Sequence, residues 1–515
     1  MPDRADARLT LHPDFHRGRL DRRLFGSFVE HMGRCVYGGI HDPGHPTADA
    51  AGFRGDVEDL VTELGTTLVR YPGGNFVSGY DWEDGVGPRA ERPTRLDLAW
   101  RSVETNAVGT DEFLAWAARR HLEPMMAVNL GTRGVAEAAA LVEYCNIEGG
   151  TRWSDLRRAN GTPDPHRVGL WCLGNEMDGA WQTGHKTAED YGKLAAQAGR
   201  AMRRVDPTIE LVACGSSTRQ MATFGSWETT VLDHTLDVVD YLSVHAYYDG
   251  RADRAEFLAS GAAMESYISE VVATADAVTA RRGSDKRMML AFDEWNVWSS
   301  SPQRTGHHDD TAISRQPPIS EDPYQVLDAV VLGDLLIALL NHADRVRVAC
   351  LSLLVNVSAP IRTEPGGPAW AQATFEPMAV TTGLAHGHSL DVRTTGPEVT
   401  GSGCGDVPAV GVAATHDPET GALAVFLTNR AQHPLTVCAD LRAFGAASLL
   451  GTWSLSAADA AVVAPGPVPR LRGDTARAHV VDGDLSILLP PQSWTAVSLA
   501  STAGGAGGAG GDRAS

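Results

Sequence analysis

Two glutamates, each placed just after an apolar run of strand length, are the residues of this sequence best placed to do chemistry. The first run, residues 168–173, is followed after one glycine by Asn175 and Glu176. The second run, residues 288–292, leads to Glu294. Hydrolysis of a bond by acid/base catalysis usually employs two carboxyl groups. Two strands that each end in a glutamate, with Asn and Trp close by, therefore predict one shared pocket.

The elements around these glutamates alternate between short apolar runs and longer helix-like segments. Eight apolar runs occur, at residues 24–30, 66–72, 123–130, 167–176, 210–216, 240–247, 288–294 and 348–356. The main helix-like segments between them are residues 56–64, 111–121, 136–146, 187–205, 264–282 and 324–342. Near-continuous apolar runs are typical of parallel strands buried on both faces, and parallel strands require such crossovers.

Eight strand-and-helix units predict an α/β fold, the TIM (β/α)8 barrel, in which the strand ends converge on one face. A doubly wound open sheet is the alternative, but the glycine-rich dinucleotide fingerprint is absent after the first strand. The barrel would gather the polar residues at the strand ends into one site.

The composition changes after residue 375, which predicts a second domain. Beyond it, short Val-, Leu- and Thr-rich runs are separated by Gly, Pro, Asn and Asp, a pattern typical of an all-β sandwich, here jelly-roll-like. We therefore predict the barrel over residues 21–375 and the C-terminal β-sandwich over residues 376–502. The N-terminal segment 1–20 is expected to pair with the sandwich, and the glycine-rich residues 503–515 are expected to form a disordered tail.

Size and charge exclude several classes of protein. The chain has 515 residues, of which 43% are hydrophobic and 21% charged, as in a soluble globular protein. Its formal charge of −20 argues against nucleic acid as a partner, because nucleic-acid binders present basic patches. The N-terminus shows no apolar segment of signal-peptide length, and no run is long enough to cross a bilayer. These features predict a cytoplasmic protein that does not bind membranes.

Three motifs indicate a family: VRYPGGNFVSGYDWEDGVGP at 69–88, NEMDGAWQ at 175–182 and FDEWNVW at 292–298. With longer stretches such as GGIHDPGHPTADAAGF and EPMMAVNLGTRG, they resemble the α-L-arabinofuranosidases of glycoside hydrolase family 51, from about residue 20 to the end of the β-rich region. The resemblance implies an exo-acting hydrolase that releases terminal α-L-arabinofuranosyl residues from arabinose-containing oligosaccharides. It also implies a homo-oligomer, commonly a hexamer in this family.

The resemblance assigns a role to each glutamate of a retaining mechanism. Glu176, at the end of the fourth strand, would be the general acid/base, and Glu294, at the end of the seventh, the nucleophile. Two carboxyl groups about 5 to 5.5 Å apart suit this double displacement. A single glutamate more often caps a helix or pairs with an arginine. Two glutamates at barrel strand ends, each in a family-like motif, favour catalysis.

Further polar or aromatic residues near the predicted strand ends are implied to bind the substrate. They are Glu30, Arg70, Asn75, Asn175, His245, Tyr247 and Trp298. Arg70 is expected to orient a carboxylate such as Glu294; a structural ion pair in the barrel mouth is the alternative, and the two roles are compatible. His245 and Tyr247 share one face of a strand, since they are two residues apart. Trp100, Trp181 and Trp298 could each line the pocket or the leaving-group subsite, but large aromatic side chains more often belong to the core, so only Trp298 is included.

The sequence predicts no metal site and no cofactor. The seven cysteines are scattered and lack a CxxC pair, so buried thiols are favoured over disulfides or zinc. The cluster His307 to Asp310 lies in a polar loop, and adjacent residues rarely form a ligand set without a rigid element behind them. The two-carboxylate chemistry itself requires no cofactor.

One position departs from the family pattern. The family usually carries a sugar-binding Gln before the Leu-Val-Asn-Val stretch of the eighth strand, where this sequence has Leu353. A sugar hydroxyl left unpaired would cost about 1 to 3 kcal/mol. We therefore expect Leu353 to weaken or change the preference for the sugar, unless another side chain supplies the contact. Another retaining glycosidase of the same barrel type, or a catalytically weak carbohydrate-binding protein, is the alternative function.

Overall fold

The computed structural model describes residues 6–298, 313–401, 403, 405–458, 466–467 and 470–502. The predicted tail, residues 503–515, and the cluster His307 to Asp310 lie outside these residues. The strands up to residue 371 are β1 (Ala7–Thr10), β2 (His16–Arg19), β3 (Gly26–Phe28), β4 (Leu68–Tyr71), β5 (Arg95–Leu96), β6 (Val103–Glu104), β7 (Glu123–Val128), β8 (Leu170–Leu173), β9 (Glu210–Ala213), β10 (Tyr241–Asp249), β11 (Met289–Trp298), β12 (Val346–Leu351), β13 (Ile361–Thr363) and β14 (Ala369–Ala371).

Helices separate most of these strands. They are α1 (Gly55–Leu64), α2 (Thr110–Arg119), α3 (Val135–Asn146), α4 (Arg152–Ala159), α5 (Ala188–Val205), α6 (Ser226–Thr235), α7 (Arg254–Leu258), α8 (Ser260–Arg281), α9 (Val326–Asn341) and α10 (Phe375–Leu384). The later strands are β15 (His388–Leu390), β16 (Arg393–Thr395), β17 (Glu398–Gly401), β18 (Gly405–Pro408), β19 (Val410–Asp417), β20 (Ala422–Asn429), β21 (Leu435–Asp440), β22 (Ser448–Ser456), β23 (Ala478–Val481), β24 (Asp484–Leu489) and β25 (Ser493–Ala500).

Eight parallel strands close into a barrel in the order β3, β4, β7, β8, β9, β10, β11, β12 and back to β3. Each of the eight predicted apolar runs supplies one of these strands, so the predicted (β/α)8 barrel is confirmed. Every residue of β4 and of β8 is buried, because one face packs in the barrel interior and the other against the helices. The six predicted helices are present as α1, α2, α3, α5, α8 and α9.

The second part of the fold is a sandwich of two β-sheets. One sheet has the order β16, β1, β21, β24, β23, and the other has the order β2, β15, β19, β20, β25, β22. A separate apolar core lies between the two sheets and includes Leu9, Val437 and Ile487 of the first sheet and Val425 of the second. Both N-terminal strands belong to the sandwich: β1 pairs with β16 and β21, and β2 pairs with β15. Helix α10 spans the predicted boundary at residue 375 and packs against α1 and α9.

Helix α9 joins the barrel to the sandwich. It packs against β19, β20, β22 and β25, and a Cβ at Gly333 would lie 2.2 Å from the Trp494 ring, so only glycine fits there. Beside it, Asp334 forms a buried ion pair with Arg430, with both carboxylate oxygens 2.8 and 2.9 Å from Nη2. The sandwich therefore supports the helix that leads into the last barrel strand.

Two further features bear on the class of protein. No helix in the described part of the chain is long and apolar enough to cross a membrane. Of the seven cysteines, the six within the described residues are free, and all of them but Cys438 are buried.

Candidate active site

The C-terminal ends of the barrel strands surround one cleft of about 420 Å³. Six of the nine predicted site residues line it: Glu30, Asn75, Glu176, Tyr247, Glu294 and Trp298. The other three, Arg70, Asn175 and His245, are almost fully buried and lie directly behind this lining. The structure therefore brings all nine residues to one place, as closure of the barrel requires.

The two glutamates face each other across the cleft. A carboxylate oxygen of Glu176 and one of Glu294 lie within 4.8 Å of each other. Glu176 reaches this position through a tight turn after β8, in which Gly174 and Glu176 both have positive φ, 92° and 44°. Carboxyl groups this close suit the retaining glycosidases, whose pair lies roughly 5 to 5.5 Å apart, better than the inverting enzymes, which need about 6.5 to 9.5 Å to admit a water.

Glu294 accepts a hydrogen bond on each carboxylate oxygen. Arg70 Nη1 donates to Oε2 at 3.1 Å, and the Tyr247 hydroxyl donates to Oε1 at 2.6 Å. Arg70 is fully buried and also donates from Nη2 to Asn175 Oδ1 at 2.6 Å. A planar guanidinium with fixed donors orients its partners. Arg70 thus orients the Glu294 carboxylate and also forms a structural ion pair, so both roles considered in the sequence analysis apply.

Asp293 lies behind the cleft and was not among the predicted site residues. Its Oδ2 is 3.2 Å from Arg70 Nε, and Ser243 Oγ donates to its Oδ1 at 2.6 Å. Burial alone would raise the pKa of Asp293, but Arg70 and His245 lower it to about 2, so the group is charged. Strict alternation along β11 would point Asp293 and Glu294 to opposite faces. The pairing registers shift here, between Ser243 and His245 and between Phe292 and Trp295, and such irregularities re-aim side chains.

His245 connects Asp293 to the acid/base candidate. Its Nδ1 lies 3.0 Å from Glu176 Oε1, and its Nε2 lies 3.1 Å from Ser243 Oγ and 3.4 Å from Asp293 Oδ1. Burial would lower the pKa of His245, but the charge of Glu294 and the contacts with Asp293 and Glu176 raise it to about 10. The ring is therefore an imidazolium at neutral pH, and its Nδ1–H donates a hydrogen bond to Glu176 Oε1.

The same three side chains have the composition of a metal site. Among the residues that the structure describes, Glu176, His245 and Glu294 are the one set of potential ligands close enough to share an ion. A metal-binding histidine must be neutral, because the ligand is the lone pair of a ring nitrogen. With its pKa raised to about 10, His245 would have to lose a proton before a ring nitrogen could bind a metal.

Glu30 follows β3 and lines the same cleft as Glu176. Its Oε1 accepts hydrogen bonds from the Phe76 backbone N–H and from the Trp100 indole Nε1, both at 2.9 Å. Burial raises the pKa of Glu30 to about 8, and the charge of Glu294 adds to the effect, while the two donors oppose it. A Cβ at Gly73 would lie 2.4 Å from Glu30 Cγ, and φ there is +120°, so glycine is required for this packing.

The remaining predicted residues complete the walls of the cleft. Asn175 Nδ2 lies 3.4 Å from Asn75 Oδ1, which joins the two amides. The Tyr247 hydroxyl is also 2.6 Å from Ser352 Oγ, and its ring centroid lies 5.5 Å from that of Trp298. Ser352 is fully buried and was not predicted, although it stands next to Leu353 in the sequence.

Two tryptophans that the sequence analysis left out of the predicted site line the cleft. Trp100 holds Glu30, and the indole of Trp181 donates to Glu176 Oε2 at 2.8 Å. Trp181 is 54% exposed, so it is not a core residue. The signal that could have identified it is its position, five residues after Glu176, together with the need of an indole N–H for a partner.

The eighth strand brings Leu353 into the cleft. Its side chain is only 4% exposed and lines the pocket with Phe28 and Val357. The apolar group therefore occupies part of the surface available to a sugar.

Comparisons with known proteins agree on one family. A family model described as the α-L-arabinofuranosidase 1 domain matches residues 60–261, and the model of the α-L-arabinofuranosidase C-terminal domain matches residues 293–493. The chain is 51% identical over 523 residues to an intracellular exo-α-(1→5)-L-arabinofuranosidase of Streptomyces lividans, covering 96% of this chain and 76% of that protein. It is 49% identical to one of Halalkalibacterium halodurans, covering 96% and 99%. The solved structure of a family 51 α-L-arabinofuranosidase from Bifidobacterium longum superposes with a TM-score of 0.91 at 42% identity, covering 96% and 99%.

Proposed function

The chain belongs to the α-L-arabinofuranosidases of glycoside hydrolase family 51, and from this premise we propose the residues that carry its reaction. It is a retaining, exo-acting glycoside hydrolase that releases terminal α-L-arabinofuranosyl residues by double displacement. In the proposed mechanism Glu294 is the nucleophile and Glu176 is the general acid/base. The observation that carries this assignment is the separation of less than 4.8 Å between their carboxylate oxygens across one cleft.

In the first step Glu294 attacks the anomeric carbon, and the bond from that carbon to the leaving oxygen breaks. The proton of Glu176 passes to the leaving oxygen, and the sugar becomes an ester of Glu294. Arg70 and Tyr247 hold the attacking carboxylate in place through their hydrogen bonds at 3.1 and 2.6 Å. Holding the nucleophile in a near-attack position lowers the entropy cost of the step.

In the second step a water attacks the anomeric carbon and gives its proton to Glu176, which now acts as a base. The ester bond breaks, Glu294 returns as a carboxylate, and the sugar leaves with its original anomeric configuration. The imidazolium of His245, 3.0 Å from Glu176, supports the carboxylate form that this step needs.

Seven further residues are proposed to bind or position the sugar: Glu30, Arg70, Asn75, Asn175, His245, Tyr247 and Trp298. Glu30, Asn75, Tyr247 and Trp298 line the cleft and would contact the sugar directly. Arg70, Asn175 and His245 are buried behind this lining. They would position the side chains that contact the sugar. Contacts to the hydroxyl next to the anomeric carbon strengthen as charge develops on the ring.

The natural substrate is proposed to be an arabino-oligosaccharide with terminal α-(1→5) linkages, cleaved inside the cell. The support is that the relatives from Streptomyces lividans and Halalkalibacterium halodurans carry this linkage and the word intracellular in their names. Release of arabinose from a panel of arabinobioses and aryl glycosides would establish the linkage preference. The proposal of a homo-oligomer, with a hexamer as the expected size, rests on the family resemblance alone. Sedimentation velocity measurements would test it.

The test of the two assignments is substitution of each glutamate followed by chemical rescue. Glu294→Ala should lower turnover by several orders of magnitude, and azide should restore part of it by taking the place of the nucleophile, giving an inverted glycosyl azide. Glu176→Ala should cleave only substrates with good leaving groups, and azide should then give a product of retained configuration. Glu148→Ala is a matched control, since that side chain is 86% exposed.

Full turnover in Glu294→Ala would refute the nucleophile assignment. A Glu176→Ala enzyme that hydrolyses a disaccharide as fast as the 4-nitrophenyl glycoside would refute the acid/base assignment. The two variants therefore test the two roles independently.

A further inference from the structure

The two oxygens of Glu176 receive hydrogen bonds from opposite sides. His245 Nδ1 lies 3.0 Å from Oε1, and this imidazole is almost completely buried. Trp181 Nε1 donates to Oε2 at 2.8 Å from an indole that is half exposed. Oε1 therefore faces the barrel interior, whereas Oε2 faces the open side of the cleft. Oε2 is the oxygen that a leaving group can reach.

The backbone next to Trp181 is shaped to bring the indole to this oxygen. A Cβ at Gly179 would lie 2.4 Å from Cε2 and 2.6 Å from Cζ2 of the Trp181 ring. Real side chains do not tolerate such distances, so the ring lies against the Cα of Gly179 where only glycine leaves room. An indole on the protein surface is thus folded back over its own chain and directed onto a carboxylate.

The bond from Trp181 affects the two catalytic steps in opposite ways. A hydrogen bond donated to a carboxylate favours the charged form, which is the form of Glu176 that the second step uses. In the first step Oε2 must deliver a proton to the leaving oxygen, and the indole N–H donates to that same oxygen. A protonated oxygen can still accept this bond, but a hydrogen bond to a carboxylate is stronger, so the bond opposes the protonated form.

We propose that Trp181 is a positioning residue that sets the balance between the acid and base forms of Glu176 through the hydrogen bond from its indole N–H to Oε2. This inference rests on the proposed acid/base role of Glu176. It assigns to Trp181 a function that acts through Glu176 and does not require contact with the sugar.

The other titratable groups around Glu176 are unchanged when only the indole N–H is removed. They come from the turn after β8, from strands β10 and β11 and from helix α8: Asp178, His245, Tyr247, Glu294 and Tyr267. A change in the pH profile of a Trp181 variant that keeps an aromatic ring therefore reports the N–H itself.

The experiment is the pH dependence of kcat/KM for Trp181→Phe, which keeps a ring and loses the donor. With an arabinobiose as substrate, the alkaline limb should move to higher pH by about one unit, since the carboxyl group loses a hydrogen bond that favours its charged form. The 4-nitrophenyl arabinofuranoside should show a smaller shift, because its leaving group departs without a proton.

Two glycine variants serve as a matched pair. Gly179→Ala should displace the ring from Glu176 and move the alkaline limb in the same direction. Gly169→Ala, just before β8, should leave the profile unchanged, because a Cβ there meets no atom within 4 Å. An unchanged alkaline limb in Trp181→Phe, with only KM raised, would overturn the inference and leave Trp181 as a contact surface for the leaving group. Failure of the acid/base assignment itself would instead be seen in Glu176→Ala.

Discussion

Glu30 is expected to work as an uncharged carboxylic acid, and Glu30→Gln tests this. Burial raises its pKa to about 8, so at pH 7 about nine molecules in ten carry the proton. Oε1 accepts both protein hydrogen bonds, from Phe76 and Trp100, which leaves Oε2 as the oxygen for the proton. Oε2 can then donate to a sugar hydroxyl. A glutamine reproduces this arrangement, with its carbonyl in the place of Oε1 and its amide N–H₂ in the place of Oε2.

The expected activities follow from this hydrogen-bond pattern. Between pH 6 and 7, Glu30→Gln should keep kcat/KM within about tenfold of the wild type, whereas Glu30→Ala should lose roughly five- to 150-fold, because it leaves a buried hydroxyl of the substrate unpaired. Above pH 8 the wild-type carboxyl group loses its donor and gains a charge near Glu294. The ratio of kcat/KM for Glu30→Gln over wild type should therefore rise as the pH passes through about 8.

The raised pKa of Glu30 also predicts how the free energy of unfolding changes with pH. Between the ordinary value of 4.5 and the folded value of about 8, the folded protein holds the Glu30 proton and the unfolded chain does not. Stability from this group is thus fully present below pH 4.5 and is lost as the pH rises to 8, by up to about 1.4 kcal/mol per pH unit. Melting temperatures measured over this interval should fall less steeply for Glu30→Gln. If Glu30→Gln is as inactive as Glu30→Ala at pH 6 to 7, Glu30 acts as a charged group and the reasoning fails.

Two further predictions concern the eighth strand and the domain interface. Leu353→Gln should raise kcat/KM on 4-nitrophenyl arabinofuranoside by roughly five- to 150-fold, by restoring a buried hydrogen bond, while Leu353→Met should not; no gain with Gln would mean that another side chain already makes the contact. Asp334→Asn should destabilise the protein by about 3 to 5 kcal/mol, because it leaves the buried Arg430 unpaired. The double variant Asp334→Asn/Arg430→Met should recover much of that loss in thermal unfolding, and equal melting temperatures for the single and double variants would contradict the role of the ion pair.

The barrel could be predicted because its strands are buried on both faces. Such strands appear in the sequence as near-continuous apolar runs, and all eight coincide with observed strands. Helices α4, α6, α7 and α10 were not predicted. Helix α6 contains the β-branched run Thr229, Thr230 and Val231, and α10 contains Pro377 and Gly383, residues of low helix propensity. Their formation depends on packing against neighbours, which local sequence does not reveal.

Site residues at the ends of regular strands could be predicted from the sequence. Residues whose orientation depends on irregular backbone could not. Glu176 and Glu294 stand out because each directly follows a buried strand or ends its apolar run. Asp293 does not, because regular alternation would point it away from the site, and the register shift that turns it inward leaves no mark in the sequence. Trp181 was left out of the predicted site because composition alone cannot distinguish a buried tryptophan from one folded over a glycine on the surface.

In the proposed mechanism, the buried charge around Glu294 changes between the two steps. Arg70 and His245 carry two positive charges, and Asp293 and Glu294 carry two negative ones. These four charges balance while Glu294 is a free carboxylate. When Glu294 becomes the proposed ester, one negative charge disappears and the other three groups keep a net positive charge. The cations that hold Glu294 before the first step therefore remain in place to stabilise its charge as the ester bond breaks in the second step.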